Sequence, residues 1–125
     1  MIVKDGLFYT KTHEWVKLEG DVATIGITDF AQNQLTDIVY VDLPKIGAML
    51  KAGDVAGTVE SVKSAEDFYS PLTGKVTDVN KTLEKTPEAI NKDAYSAWLY
   101  KMKVSNPSEV NSMMKKEDYE KFIKK

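Results

Sequence analysis

The chain has 125 residues, 42% of them hydrophobic, and its seventeen lysines, nineteen carboxylates and lack of arginine give a formal net charge of −2. This length and composition predict one globular domain, and the charge balance excludes a general nucleic-acid binder, which needs a basic surface. The absence of cysteine excludes disulfides and thiol chemistry, and the single histidine, His13, argues against a zinc site.

Short segments of alternating apolar residues, separated by turn residues, run through the first hundred positions. Ala23, Ile25 and Ile27 share one face of the segment 22–28, which is the pattern of a half-buried strand. Related patterns predict strands at 37–44, 54–62, 74–80 and 98–104. Strands this short at this spacing predict an all-β dominated fold, a small sandwich or barrel.

Two short helices are predicted between the strands, at the periphery of this fold. The first begins after an N-cap at Thr28 and ends at Leu35. The second covers 86–91 and has Pro87 in its first turn, where proline is tolerated.

The C-terminal tail, 107–125, predicts two short helices or one broken helix, with Ser108 as a cap. Its apolar residues fall into two groups, which are Val110 with the methionines 113 and 114, and Tyr119 with Phe122 and Ile123. We predict a single domain over 1–125, with a core at about 7–104 and the helical segment at about 107–125.

No recognisable catalytic motif is present. The sequence lacks a glycine-rich dinucleotide loop, a phosphate-binding loop and a local serine–histidine–aspartate pattern. We therefore predict no catalytic residues and no metal site, and any chemistry would depend on a group attached to the protein.

The apolar runs are also too short to span a membrane, and the segment 1–15 is too polar for a signal peptide. We expect a protein of the bacterial or archaeal cytoplasm, or of the mitochondrial matrix if the chain is a processed eukaryotic product.

One lysine lies in a setting suited to attachment. The segment ESVKSAED, 60–67, places Lys63 between two predicted strands, and a hairpin with this lysine at its tip is the simplest construction. A rigid sheet would hold such a tip in an exposed position. The alternative is an ordinary solvated turn lysine, so the prediction depends on the wider pattern.

The wider pattern is an ordered set of segments, which are HEW (13–15), ATIGIT (23–28), AQ (31–32), DIVYVDLP (37–44), ESVK (60–63), SPLTGKV (70–76) and the strand near Trp98. This set resembles the H protein of the glycine cleavage system, a relative of the lipoyl domains. Each segment is a weak signal alone, but the ordered set is specific and covers nearly the whole chain.

The resemblance implies a barrel-sandwich hybrid fold, with lipoate joined to Lys63 by an amide bond. It implies that Glu60 and Gly74, three residues before and eleven after the lysine, contribute to recognition by a lipoate ligase or lipoyl transferase. Biotinyl domains share the fold but usually have methionine on both sides of their lysine. This chain has Val62 and Ser64 there, so the resemblance favours lipoate.

The family is a carrier and not an enzyme, because the attached group supplies the chemistry. The resemblance implies that the arm takes an aminomethyl group from glycine decarboxylase, the P protein, and delivers it to aminomethyltransferase, the T protein. Dihydrolipoyl dehydrogenase, the L protein, then reoxidises it. Visits to several enzymes favour transient interfaces, and we expect a monomer with no nucleic-acid or membrane partner.

In the family the loaded arm folds into a surface cleft. By residue matching, Thr12, Glu14 and Asp67 line that cleft, where the carboxylates would favour a bound ammonium. The alternative for Glu14 is a solvated acid beside a packed Trp15. His13 is expected to be structural, with a ligand or acid–base role as the alternative.

The sequence departs from the family at four positions. The family usually has histidine where this chain has Phe30 and glycine where it has Thr36, and the segment before Trp98 has alanine at 94 and 97 and is about one residue shorter. These changes bear on partner docking and protection of the arm. Two alternatives stay open, which are a lipoyl carrier or relay for another lipoate-dependent pathway, and an unmodified structural or interaction module.

Overall fold

The computed structural model describes residues 1–124, and within them nine strands form two antiparallel sheets. The strands are β1 Phe8–Tyr9, β2 Glu14–Glu19, β3 Val22–Ile27, β4 Ile38–Asp42, β5 Met49–Leu50, β6 Val55–Ser61, β7 Ala65–Tyr69, β8 Gly74–Val79 and β9 Tyr100–Val104. The six-stranded sheet has the order β1-β2-β3-β9-β8-β5, and the three-stranded sheet has the order β4-β6-β7. The prediction of an all-β dominated sandwich is confirmed.

The helices are short and lie between or after the strands. They are α1 Asp29–Leu35, α2 Thr82–Lys85, α3 Ala89–Lys92, a 3-10 helix Pro107–Ser112, and α4 Lys116–Ile123. No helix in residues 1–124 has the length and apolar character needed to cross a membrane.

The main hydrophobic core fills the space between the two sheets. Ala23, Ile25 and Ile27 are all buried, which confirms the face predicted for β3. Val59 from β6 and Phe68 from β7 enter the same core from the three-stranded sheet. Because β6 and β7 are anchored through these side chains, the hairpin that they form is fixed to the body of the protein.

The strand pattern missed β2. Trp15 and Val16 are adjacent and both buried, because Val16 faces the main core and Trp15 packs under the C-terminal helix. Only the first half of β2 is buried on both faces, so the alternation that predicts strands from sequence is confined to the four residues 16–19. The two-residue strands β1 and β5 are too short to give a pattern.

The helix α1 follows the prediction. Thr28 is its N-cap, and its hydroxyl accepts a hydrogen bond from the Ala31 N–H. The prediction for 86–91 is wrong in detail, because α3 begins at Ala89 and Pro87 precedes its N-cap, Glu88. The preceding turn of helix, α2, was not predicted.

The tail forms two short helices, as predicted, and residue 125 lies outside the described residues. The cap assignment is wrong, because Asn106 occupies the N-cap position and Ser108 lies within the first turn of the 3-10 helix. Pro107 already supplies a first residue that needs no hydrogen-bond acceptor for its nitrogen, so a cap at Ser108 is not required.

A second, smaller aromatic cluster lies between α4 and the edge of the six-stranded sheet. Tyr9, Trp15 and Tyr119 are its buried members, and Phe122 and Ile123 pack against it. This arrangement joins the C-terminal helix to strands β1 and β2.

Candidate functional site

Lys63 lies at the tip of the β6–β7 hairpin. The strands pair up to Glu60 and Ala65, and the Ser61 N–H donates to the Ser64 carbonyl at 2.8 Å. The Ser61 hydroxyl oxygen accepts from the N–H groups of Lys63 and Ser64, at 3.3 and 3.2 Å. The turn is therefore held by its own hydrogen bonds.

The tip is also joined to the neighbouring strand. The Val62 N–H donates to the Asp37 carbonyl at 3.0 Å, immediately before β4. The Lys63 side chain is exposed, and residues 1–124 form two ion pairs, Lys103–Asp21 and Lys116–Asp5, neither of which involves it. A lysine held outward on a fixed turn is accessible to a modifying enzyme.

A cleft of about 680 Å³ runs from this tip along the edge of the three-stranded sheet. Its walls come from the loop 11–14, from α1 with Ile27 at the end of β3, and from the β6–β7 hairpin with its tip. The lining residues are Lys11, Thr12, His13, Glu14, Ile27, Phe30, Ala31, Gln34, Leu35, Val59, Lys63, Ser64, Glu66, Asp67, Phe68 and Tyr69. The cleft has one largely apolar wall, from α1, and one polar wall.

Glu14 is the buried carboxylate of this cleft, with 1% of the residue exposed. Its Oε1 accepts hydrogen bonds from the hydroxyls of Thr10 and Thr12, and its Oε2 accepts from the Tyr69 N–H at 3.0 Å. The ion pairs formed by residues 1–124 do not include Glu14. It is therefore buried and hydrogen-bonded, without a cation from the described part of the chain.

The ionisation of Glu14 reflects two opposing effects. Burial raises the pKa of its carboxyl above the ordinary value, and the hydrogen bonds from Thr10, Thr12 and Tyr69 oppose that rise. A cation that entered the cleft would favour the charged carboxylate and would be attracted to it.

The cleft brings together four residues singled out from the sequence. Lys63, Thr12, Glu14 and Asp67 all line it. Thr12 contacts Glu14 directly, while Asp67 is exposed and accepts a hydrogen bond from the Thr58 hydroxyl at 3.1 Å. The described structure thus gives two different carboxylates, one buried and one near solvent.

The two proposed recognition residues lie in different surroundings. Glu60 is exposed on β6, opposite Tyr40 and Ala65. Gly74 is buried in the other sheet, where an added Cβ would lie 2.2 Å from the Lys103 carbonyl oxygen. Close packing against β9 explains a glycine at this position, and a role for it in recognition stays a prediction.

The first two departures from the family lie at the ends of α1. Phe30 lines the cleft and its ring centroid is 4.7 Å from that of His13. Thr36 caps the C-terminus of α1 with a φ of 63° and a ψ of −142°, a conformation that favours glycine. The family preference for glycine at this position therefore has a backbone cause.

The alanines of the shorter segment are both buried. Ala94 is buried and its carbonyl accepts from the Trp15 Nε1–H at 3.1 Å, and Ala97 is buried in the core. The departure at Ala94 therefore concerns packing beneath β2, and that at Ala97 concerns the main core.

Sequence reasoning connected α1 with the cleft only through the resemblance, at Phe30, and did not identify the wall that α1 contributes. Its residues Phe30, Ala31 and Leu35 line the cleft at the spacing of one helical face, and that spacing was the available signal. It also missed Tyr119, whose contacts with residues far away in sequence leave no local pattern.

Comparisons with known proteins agree with this geometry. The family model described as glycine cleavage H-protein matches residues 7–125. A probable glycine cleavage system H protein from Thermoplasma volcanium is 60% identical over 121 residues, covering 97% of each chain. A glycine cleavage system H protein from Leptospira biflexa is 52% identical over 122 residues, covering 98% of this chain and 94% of that protein.

A solved structure gives the same result for the fold. The crystal structure of a glycine cleavage system H protein from Mycobacterium marinum matches with a TM-score of 0.90 at 31% identity, covering 98% of this chain and 100% of that one. The predicted barrel-sandwich, lipoyl-domain-like fold is thereby confirmed. The family is the non-catalytic lipoyl carrier of the glycine cleavage system, and this chain belongs to the glycine cleavage H-protein family.

Proposed function

We propose that this chain carries lipoate in amide linkage to Lys63 and presents it to the enzymes of the glycine cleavage system. The observation that carries the proposal is that an exposed lysine, on a turn fixed by Ser61, shares one cleft with the buried carboxylate of Glu14. When bound, lipoate supplies a disulfide that is reduced as the aminomethyl group is taken up. The chain supplies position, shielding and charge.

The cleft suits an arm with an apolar body and a cationic end. Phe30, Ala31 and Leu35 provide the apolar wall, against which a hydrocarbon chain and a dithiolane ring would be shielded from water. At the polar wall, the Glu14 carboxylate would accept a hydrogen bond from an ammonium group, and Thr12 holds that carboxylate in place. Asp67 would add a second negative charge nearer to solvent.

The proposed partners are those of the family, together with the enzyme that would modify the lysine at the hairpin tip. We propose that the chain, as a monomer in the cytoplasm, visits the P protein, the T protein and the L protein in turn. Glu60, exposed on the strand that leads to Lys63, is placed to contact the lipoate ligase or lipoyl transferase.

The proposal is tested by the intact mass of the protein purified from its natural source, followed by peptide mapping. We expect one lipoyl group, on Lys63, and loss of activity in a reconstituted glycine cleavage assay when that group is removed enzymatically. An unmodified natural protein would indicate a structural or interaction module. A lipoylated protein that does not support glycine cleavage would indicate a carrier for another pathway.

A further inference from the structure

The Tyr119 hydroxyl lies within hydrogen-bond distance of a residue in the loop 11–14 and of the N-cap of α1, the elements that form two walls of the cleft. Tyr119 lies in α4 and is fully buried. Its oxygen is 2.8 Å from the His13 Nδ1 and 2.7 Å from the Thr28 hydroxyl oxygen. These two residues are 106 and 91 positions away in sequence, so one hydroxyl joins three distant segments.

Each hydrogen-bond partner of Tyr119 belongs to, or directly precedes, an element that forms one wall of the cleft. His13 lies between Thr12 and Glu14 in the loop 11–14, and Thr28 is the N-cap of α1. The Thr28 N–H also donates to the His13 carbonyl at 3.0 Å, so the two walls are joined to each other as well. A shift of His13 or Thr28 would therefore move the polar or the apolar wall.

The loop needs such support because His13 has a φ of 71°. This left-handed conformation is uncommon for residues other than glycine, and it persists where surrounding contacts hold it. The ring of His13 packs on Phe30 and its Nδ1 meets the Tyr119 hydroxyl, which provides those contacts.

The hydrogen bonds can run in one direction through these side chains. Burial lowers the pKa of the His13 imidazole, which favours the neutral ring, and in the tautomer with its proton on Nε2 the Nδ1 is an acceptor. The Tyr119 O–H can then donate to that Nδ1, and its oxygen can accept from the Thr28 hydroxyl. The Thr28 oxygen in turn accepts from the Ala31 N–H at 3.2 Å, so the set satisfies one N–H group of the first turn of α1.

Tyr119 is itself fixed from the side away from the cleft. Its ring stacks on Tyr9, with centroids 4.6 Å apart and planes 10° from parallel. The backbones of Tyr9 and Met114 exchange two hydrogen bonds, at 2.7 and 2.9 Å, which tie the start of the α4 segment to β1. The hydroxyl therefore has little freedom to move.

We propose that Tyr119 is a positioning residue of the arm cleft, and that the C-terminal helix sets the distance between the cleft walls through this one hydroxyl. The inference rests on the proposed function, because it concerns the cleft that would shield the loaded arm. Tyr119 does not line the cleft and touches no cargo; it acts through His13 and Thr28.

The test is Tyr119→Phe, which keeps the stacked ring and removes the hydroxyl. The matched control is Tyr9→Phe, which removes the other hydroxyl of the stacked pair. That hydroxyl donates to the Lys4 carbonyl at 2.6 Å, away from the cleft. Each hydroxyl makes two hydrogen bonds, that of Tyr9 with the carbonyl and the N–H of Lys4, so a general loss of stability would affect both variants.

Two measurements on the full, unmodified chain come first. We expect Tyr119→Phe to increase amide hydrogen exchange in 10–14 and 28–35 and to shift the ring-nitrogen resonances of His13, the single histidine of the chain. We expect Tyr9→Phe to leave both signals close to wild type. Unchanged exchange and an unchanged His13 signal in the folded Tyr119→Phe protein would overturn the proposal.

The third measurement is the lifetime of the aminomethyl-loaded carrier. Loss of the two hydrogen bonds that position the walls should shorten it about three- to tenfold in Tyr119→Phe, with a much smaller change in Tyr9→Phe. Glu14→Gln separates the two hypotheses, since it tests the cleft directly. If Glu14→Gln shortens the lifetime and Tyr119→Phe does not, the positioning role is wrong; if neither does, the cleft role itself fails.

Discussion

The two sheets differ in the charges on their strands. The strands of the three-stranded sheet contain no lysine and carry four exposed acids, Asp42, Glu60, Glu66 and Asp67. The strands of the six-stranded sheet carry four lysines, Lys17, Lys75, Lys101 and Lys103. Lys63 thus projects from the acidic sheet, and its surroundings distinguish it from the lysines of the other sheet.

The largest expected effect is that of replacing Lys63, compared with replacing a lysine of the six-stranded sheet. Lys63→Arg keeps a long cation at the tip but removes the amine that accepts the acyl group, so we expect no lipoylation and no carrier activity. Stability should change by no more than about 0.5 kcal/mol because the site is exposed. Mass spectrometry and a reconstituted glycine cleavage assay measure the outcome, with Lys75→Arg on β8 as the control.

Lipoate found on Lys75 or another lysine of the six-stranded sheet in the Lys63→Arg protein would contradict this prediction. Unfolding of Lys63→Arg would show that the lysine is structural.

The second effect compares a carboxylate from each sheet. Glu14, on β2, is buried, so its loss as Glu14→Gln should shorten the lifetime of the loaded carrier about ten- to a hundredfold, the equivalent of one shielded charge-assisted hydrogen bond. Asp67, on β7, is exposed, so Asp67→Asn should have a smaller effect. Release of the aminomethyl group as formaldehyde and ammonia gives the rate. Equal effects of the two substitutions would show that burial is not what matters.

The third effect is a pH dependence of stability that originates in Glu14. Burial raises the pKa of this carboxyl in the folded protein above its ordinary value of 4.5, so the folded state binds the proton more tightly than the unfolded state. The stabilising contribution is fully present below pH 4.5 and is lost as pH rises through the raised folded pKa. Wild type should therefore lose stability relative to Glu14→Gln over that interval.

Urea denaturation of both proteins at several pH values between about 4 and 8 measures this difference. Asp67→Asn provides the comparison for an exposed acid. A wild type that gains stability relative to Glu14→Gln as pH rises would show that hydrogen bonding, and not burial, dominates at this carboxylate.

The smallest effect concerns Thr36, where the chain passes from α1 to the three-stranded sheet. Because its φ is 63°, Thr36→Gly should relieve strain and raise the free energy of unfolding by about 1 kcal/mol. Thr86→Gly is the control, since Thr86 also follows a short helix but has a φ of −130°, so glycine should destabilise there. Thermal melting compares the stabilities of the two variants with that of wild type. A loss of stability in both variants would show that Thr36 is not strained.

Local chemistry decided which elements were predictable. The N-cap at Thr28 and the Lys63 hairpin were found because a cap hydroxyl and a turn between two strands depend on neighbours in sequence. Strand β2 was missed because Trp15 and Val16 are buried on opposite faces. Ser108 resembled a helix N-cap, but the 3-10 helix begins at Pro107 with Asn106 in the N-cap position.

The cleft was predictable only through family resemblance. Sequence left open whether Glu14 is a solvated acid, and the structure shows it buried, with its carboxylate accepting a hydrogen bond from the N–H of Tyr69, 55 positions later. Contacts over such separations leave no periodic pattern. The same holds for the contact of Tyr119 with His13, 106 positions earlier.

The hydrogen bond from the Tyr69 N–H to Glu14 has a consequence for association between molecules. Strand β7 is an edge of the three-stranded sheet, and such edges invite pairing with strands of other chains. Glu14 accepts the hydrogen bond of the Tyr69 N–H, so this group cannot pair with a strand of another chain. The exposed charges of Glu66 and Asp67 on the same short strand repel a second copy of the protein. The side chains that shape the cleft therefore also protect an edge strand against aggregation, which favours solubility of the protein at high concentration.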